Sequence, residues 1–305
     1  MSRVALLFPG QGSQYVGMGK DLYEKSALAK ETFDEADGIL GFSLSRICFD
    51  GPEDELRKTR NTQPAIFTHS MVLMRLLQTL DADMLAGHSL GEYSALVVAG
   101  ALSFGDALKL VRLRGELMQR AGEVNKGTMA AVVGLEQDTL ERVCREASHA
   151  GIVQPANFNS PGQTVISGSV EGVRNAMELA KQAGTKLVKE LVVSGAFHSP
   201  LMESAKAGLK EALDKTPVKD ARIQVYANVT AEPVTQSSEI RNLLFQQVTS
   251  PVRWEQTLRN MVRDGATAFY EVGPGKVLQG LVKRTETSVH VGGFDKFVDL
   301  QGATD

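Results

Sequence analysis

Three side chains have the types and settings to do chemistry together: Ser89, His198 and Arg114. Gly87-His88-Ser89-Leu90-Gly91 fits the Gly-x-Ser-x-Gly pattern of a nucleophile elbow. Glycine is needed on both flanks because a strand must turn sharply into a helix while the serine stays exposed. A five-residue pattern also arises by chance, and an ordinary strand-to-helix turn is the plain alternative. The context favours the elbow: a short apolar run, Met84-Leu85-Ala86, precedes it and a helical run, Tyr93 to Ala101, follows. In that geometry the backbone N–H of Leu90 faces the site at a helix N-terminus, which favours developing negative charge.

A serine nucleophile needs a base. His69 falls in a helical run, and His149 and His290 sit near element ends where water satisfies them. His198 differs. It follows the strand-like run Lys186 to Val193 and directly precedes Ser199-Pro200, a helix N-cap and N1 signal. Open α/β sheets hold their ligands in loops at the carboxyl ends of parallel strands. His198 is therefore the favoured base.

Arg114 lies in the helical run Phe104 to Ala121, on the stripe formed by Ala107, Leu110, Val111, Leu117, Met118 and Ala121. Lys109, Arg112, Glu116 and Gln119 fall on the polar side. An arginine on a packing face stays charged and needs an anion. Two partners fit equally well: a buried Asp or Glu, or a substrate carboxylate gripped by two parallel charge-assisted hydrogen bonds.

These residues must be positioned by an α/β fold. Val4 to Phe8 reads as a buried strand feeding Pro9-Gly10-Gln11-Gly12, and helical patterning covers Lys20 to Leu40, Gln63 to Leu80 and Phe104 to Ala121. Strands alternating with helices imply a mainly parallel sheet covered on both faces. From about Gly122 to Ala196 the rhythm changes. Strand Thr128 to Val133, helix Gln137 to Ala150, a hairpin turning at Ser160-Pro161-Gly162, helix Val170 to Ala183 and strand Lys186 to Val193 follow in turn. That β-α-β-β-α-β order is ferredoxin-like. The expected organisation is a catalytic part over residues 1–121 and 197–305, interrupted by a small insert at 122–196.

The 305 residues carry 43% hydrophobic and 23% charged residues, which excludes a disordered or fibrous chain. A net charge of −3 argues against a nucleic-acid binder. Cys48 and Cys144 are too few for a disulfide framework or a cysteine zinc site, so reduced thiols in a cytoplasmic protein are expected. The apolar run at Val4 to Phe8 is too short for a signal peptide, and no membrane span is apparent. Neither a metal constellation nor a permanently bound cofactor is expected.

Five segments occur together in order: Phe8-Pro9-Gly10-Gln11-Gly12-Ser13-Gln14, Thr62-Gln63-Pro64-Ala65, Gly87-His88-Ser89-Leu90-Gly91-Glu92, Gly195-Ala196-Phe197-His198-Ser199-Pro200 and Glu271-Val272-Gly273-Pro274-Gly275. With them the chain resembles the malonyl-CoA:acyl-carrier-protein transacylases of type II fatty-acid synthesis. The resemblance implies an α/β-hydrolase-like part with the ferredoxin-like insert. It implies Ser89 as the acylated nucleophile, His198 as its base, and an oxyanion hole from the Gln11 and Leu90 amides. Arg114 would grip the malonyl carboxylate. The Gln247 carbonyl would orient the histidine without an acidic third member, and Gln63 and Asn157 would line the site. Phe197, just before the histidine, would select malonyl over methylmalonyl, since a ring there crowds an α-methyl group.

The implied substrates are malonyl-CoA and the phosphopantetheine thiol of acyl carrier protein, and a monomer is expected. Because that partner is acidic, Lys283, Arg284, Lys186 and Lys189 are candidates for its docking. A trans-acting polyketide-synthase acyltransferase, a serine thioesterase or esterase, and a non-catalytic module binding acyl carrier protein are the rival readings. A hydrolase would have no need of Arg114 on a packing face.

Overall fold

The computed structural model describes residues 3–77 and 80–302. Its ten strands form two sheets. The larger contains β1 (Arg3–Phe8), β2 (Met84–Gly87), β7 (Gln224–Tyr226), β8 (Pro233–Val234), β9 (Ala266–Val272) and β10 (His290–Phe294), in the order β10-β9-β1-β2-β7-β8. All neighbours pair in parallel except the short edge strand β8. β1 and β2 are apolar runs because both faces of a parallel sheet are covered. Ala5 and Leu7 pack to one side with Trp254 and Phe269, while Leu6 and Phe8 pack to the other with Phe33 and Phe67.

The smaller sheet contains β3 (Gly127–Val133), β4 (Val153–Ser160), β5 (Gln163–Ser169) and β6 (Leu187–Glu190), antiparallel throughout, in the order β4-β5-β3-β6. The helices Gln137–Ala147 and Val170–Gln182 complete the sequence β-α-β-β-α-β. Leu140, Val143, Val173 and Ala176 from those helices close a separate apolar core on Ala130, Val132 and Ile166. β4 is laced to the rest of the chain through Phe158 N to Val252 O and Val252 N to Ala156 O.

Several elements depart from the pattern expected of them. The run Lys20 to Leu40 is two helices, Lys20–Lys25 and Ala27–Leu40, because the Ser26 hydroxyl caps the second by accepting from Ala29 N. The helix expected from Gln63 begins earlier, at Thr59, and ends at Leu76; residues 78–79 of that expectation lie outside the described residues. The last strand of the small sheet pairs only over Leu187–Glu190. Leu191 N makes the last bond to β3, on Met129 O, beyond which Val192 and Val193 leave it; Leu191 and Val193 line a cleft. Cys48 and Cys144 are both buried free thiols. Among the described residues no helix is long and apolar enough to cross a membrane.

Candidate active site

Ser89 sits where β2 ends and the helix Gly91–Val98 begins. Steric contact explains the glycines around it. A Cβ on Gly87 would lie 1.9 Å from the Gly91 carbonyl carbon, and one on Gly91 would lie 2.0 Å from Phe8 O. Gly10 has the same constraint, 2.4 Å from His88 O. The loops after β1 and β2 thus press together with no room for side chains. Ser89 adopts φ +51°, a strained value for a residue with a Cβ.

His198 is also left-handed, at φ +56°. Its Nε2 lies 2.8 Å from Ser89 Oγ. Its Nδ1 faces two carbonyls, Gln247 O at 2.9 Å and Ser250 O at 3.1 Å. Carbonyls only accept, so the proton belongs on Nδ1, and Nε2 is left as an acceptor for the serine hydroxyl. Burial, and then the positive Arg114 nearby, push the His198 pKa down to about 3, which keeps the ring neutral.

Arg114 is 1% exposed and lies on the same cleft. Its Nη1 donates to Gln63 Oε1 (2.8 Å), and its Nη2 donates to Gln247 Oε1 (2.9 Å) and Ser89 Oγ (3.1 Å). Its Nε is buried without a partner. No carboxylate hydrogen-bonds to the guanidinium among the described residues. That discriminates between the two partners left open by the helix stripe: the protein supplies neutral amides, not an Asp or Glu. Glu92, whose charge interacts with Arg114, instead accepts from Asn228 N (3.0 Å) and Gln247 Nε2 (2.9 Å). Burial raises the Glu92 pKa to about 7, against the pull of those hydrogen bonds and of Arg114.

A cleft of about 260 Å³ opens beside these groups. Gln11, Gln63, Leu90, Asn157 and Phe197 all line it. Among the described residues neither the Gln11 nor the Leu90 backbone N–H donates to the protein. Met118, Met129, Val165, Leu191 and Val193 supply its apolar wall. Lys283 and Arg284 are exposed in the last turn of the helix Val277–Thr285, whose Val277, Leu278 and Leu281 reach the cleft. Arg284 donates to Gln163 Oε1 at 2.7 Å. Lys186, just before β6, and Lys189, on it, are exposed and do not line the cleft.

Asn228, Glu92, Ser250 and Asn159 were not singled out from the sequence. Asn228 follows β7, the strand beside β2, so its place at a carboxyl strand end was the available signal. Asn159 Oδ1 lies 2.9 Å from His88 Nε2. Ser250 acts through its carbonyl, which every residue type has.

With that geometry, the arrangement can activate a serine, receive an oxyanion at two amides and hold an anionic acyl tail. The chain matches the acyl transferase domain family over residues 5–297. It is 49% identical to the malonyl CoA-acyl carrier protein transacylase of Bacillus subtilis strain 168, over 93% of this chain and 90% of that one. Among solved structures it is similar to an acyl carrier protein S-malonyltransferase from Vibrio cholerae, with 41% identity, a TM-score of 0.95 and 99% of both chains covered. It is equally similar to a malonyl-transacylase solved in complex with a type II polyketide-synthase acyl carrier protein, with 39% identity, a TM-score of 0.96 and 99% of both chains covered.

Proposed function

The chain belongs to the acyl transferase domain family, and from that premise we infer that it moves the malonyl group of malonyl-CoA to the phosphopantetheine thiol of acyl carrier protein. We read the large sheet and its elbow as an α/β-hydrolase-like catalytic part, with residues 122–196 as the insert.

The reaction proceeds in two displacements. Malonyl-CoA enters the cleft with its carboxylate against Arg114, displacing the guanidinium from Ser89 Oγ. Gln63 and Gln247 hold the arginine plane during that exchange, so the site is organised before substrate arrives. Ser89 Oγ attacks the thioester carbonyl while its proton passes to His198 Nε2. The negative oxygen of the tetrahedral intermediate is received by the N–H groups of Leu90 and Gln11, and losing one such donor costs on the order of 10²–10³ in rate in comparable sites. Collapse expels the coenzyme A sulfur, which takes the proton back from His198. The carrier-protein thiol then repeats the sequence on the malonyl-serine ester, with His198 accepting the thiol proton and returning it to Ser89.

The observation that carries this reading is Arg114, buried beside Ser89 with neutral amides and the serine hydroxyl as its only hydrogen-bond partners among the described residues. An esterase would bury that charge with nothing to use it. Lys283 and Arg284, at the helix that borders the cleft, are the carrier-docking residues we favour over Lys186 and Lys189. The polyketide-synthase neighbour supports the same chemistry with a carrier protein from that pathway.

Intact-protein mass spectrometry after exposure to malonyl-CoA tests the reading. One malonyl group should be gained, absent in Ser89→Ala and discharged by holo acyl carrier protein. Steady release of coenzyme A without an adduct would make the protein a hydrolase. An adduct that persists in Ser89→Ala would place the nucleophile elsewhere.

A further inference from the structure

The elbow has a strained residue at its apex, and something must hold it there. The helix that follows begins only at Gly91; Ser89 O accepts from Glu92 N at 3.2 Å, but the Ser89 N–H has no place in the helix ladder. The Asn228 side chain spans the apex instead. Its Oδ1 accepts from Ser89 N at 2.7 Å, and its Nδ2 donates to Gly87 O at 2.7 Å. One planar amide thus clamps the backbone on both sides of His88, from the Gly87 carbonyl to the Ser89 amide. Asn228 is fully buried, so water does not compete for either bond.

The clamp is tied to the base as well. Asn228 N and Gln247 Nε2 both donate to Glu92 Oε2, and Gln247 Nε2 also donates to Ser89 O. The Gln247 carbonyl is one of the two that hold His198 Nδ1. Nucleophile and base are therefore referenced to a single buried carboxylate on the first turn of the elbow helix.

We propose that Asn228 is a positioning residue for acyl transfer: its side-chain amide fixes the left-handed Ser89 backbone so that Oγ meets His198 Nε2 and the Leu90 N–H stays free for the oxyanion. The clamp also occupies the N–H of Ser89 itself. The oxyanion hole must then be built from the residue after the nucleophile and from the Gln11 loop, not from the nucleophile's own amide. This rests on Ser89 and His198 acting as described above.

Asn228→Ala removes both arms while leaving the acyl-binding groups in place. The expected result is single-turnover acylation slowed on the order of 10²-fold, the scale for reacting groups displaced by about 1 Å. The loss should be equal for malonyl-CoA and acetyl-CoA, because Asn228 acts on the serine and not on the acyl tail. Binding should not change: malonyl-CoA affinity, measured in a Ser89→Ala background with and without Asn228→Ala, should agree within about twofold, a split that general disorder of the fold would not give. Should Asn228→Ala fail to fold, Asn228→Asp decides. It keeps an acceptor for Ser89 N but offers Gly87 O no donor, and acylation should still slow about tenfold. Acylation at the unaltered rate in the folded variants would overturn the proposal while leaving Ser89 as the nucleophile. Acylation that persists in Ser89→Ala would overturn the underlying reading instead.

Discussion

The two sheets contribute to the cleft in different ways. The larger supplies backbone under strain: Ser89 and His198, two of the three non-glycine residues with positive φ among the described residues, lie outside the small sheet, as does the third, Ala231. It also supplies the glycines that allow the β1 and β2 loops to meet, and most of the buried polar network. The small sheet has no such residue. Its share of the cleft is side chains on strands without left-handed backbone: Met129, Asn157, Asn159, Gln163 and Val165, the two asparagines at register shifts of β4. Reactivity therefore depends on conformations that only dense packing maintains, while the opposite wall can change one side chain at a time. Substitutions on the first side should abolish a step, and those on the second should shift a preference.

Arg114→Ala is the strongest way to break that division among the groups that do not react. Malonyl transfer should fall by about 10²–10³, the range for removing one partner of a buried charge-assisted contact. Acetyl transfer should hold or rise, since acetyl has no carboxylate to grip. Paired kcat/KM values for the two thioesters measure this directly. Equal losses would mean that Arg114 supports the fold of the site and not the recognition of the acyl group.

Much of the large-sheet chemistry is written in the sequence because steric need leaves a residue-type signature. Only glycine fits at 87 and 91, and an arginine interrupting an apolar helical stripe is conspicuous. The paired strands and helices of the small sheet were legible for a similar reason, through their alternating and helical periodicities. The hidden parts work through the main chain or across long separations. The carbonyls of Gln247 and Ser250 hold His198 whatever their side chains, and Asn228 meets Ser89 from 139 residues away. Only the family resemblance pointed to Gln247. Leu191 and Val193 misled in the other direction: their apolar character suits a strand, but here it faces a cleft, while Val192 between them points to solvent.

The dependence on pH sharpens the comparison further. As the base proposed for Ser89, His198 must be neutral to accept the serine proton, so it would work above its pKa. Burial and the charge of Arg114 both lower that pKa, to about 3. Acylation by acetyl-CoA should therefore show no histidine limb as pH falls from 7 to about 5, where an ordinary histidine base would lose most of its activity, and a change centred near 7 would belong to Glu92. Arg114→Ala removes the second largest of the depressing influences, after burial and ahead of His88, so its acid limb should move upward while staying below the unperturbed histidine value. The pH profile of kcat/KM with acetyl-CoA reads both effects without a substrate carboxylate to disturb them. A limb near 6.5 in the unaltered protein would show that the ring is more solvated than this packing allows.

The smallest effect is expected at Phe197, which is 6% exposed and lies between the two sides, adjoining His198 in sequence and the apolar wall in space. Its ring has no group to transfer a proton, and on the reading proposed above its place on the wall sets how much room the acyl α-carbon has. Phe197→Ser should therefore narrow the preference for malonyl over methylmalonyl by about tenfold, the low end of what one methyl group is worth in a closed pocket. The substitution also removes a buried ring, so stability should fall by about 3 kcal/mol or more and both rates can drop together. The ratio of the two kcat/KM values is consequently the quantity to follow, because a loss common to both thioesters cancels from it. A ratio that stays constant while both rates fall would assign Phe197 to packing under His198, and the acyl preference would then have to come from Met118, Met129 or Val165.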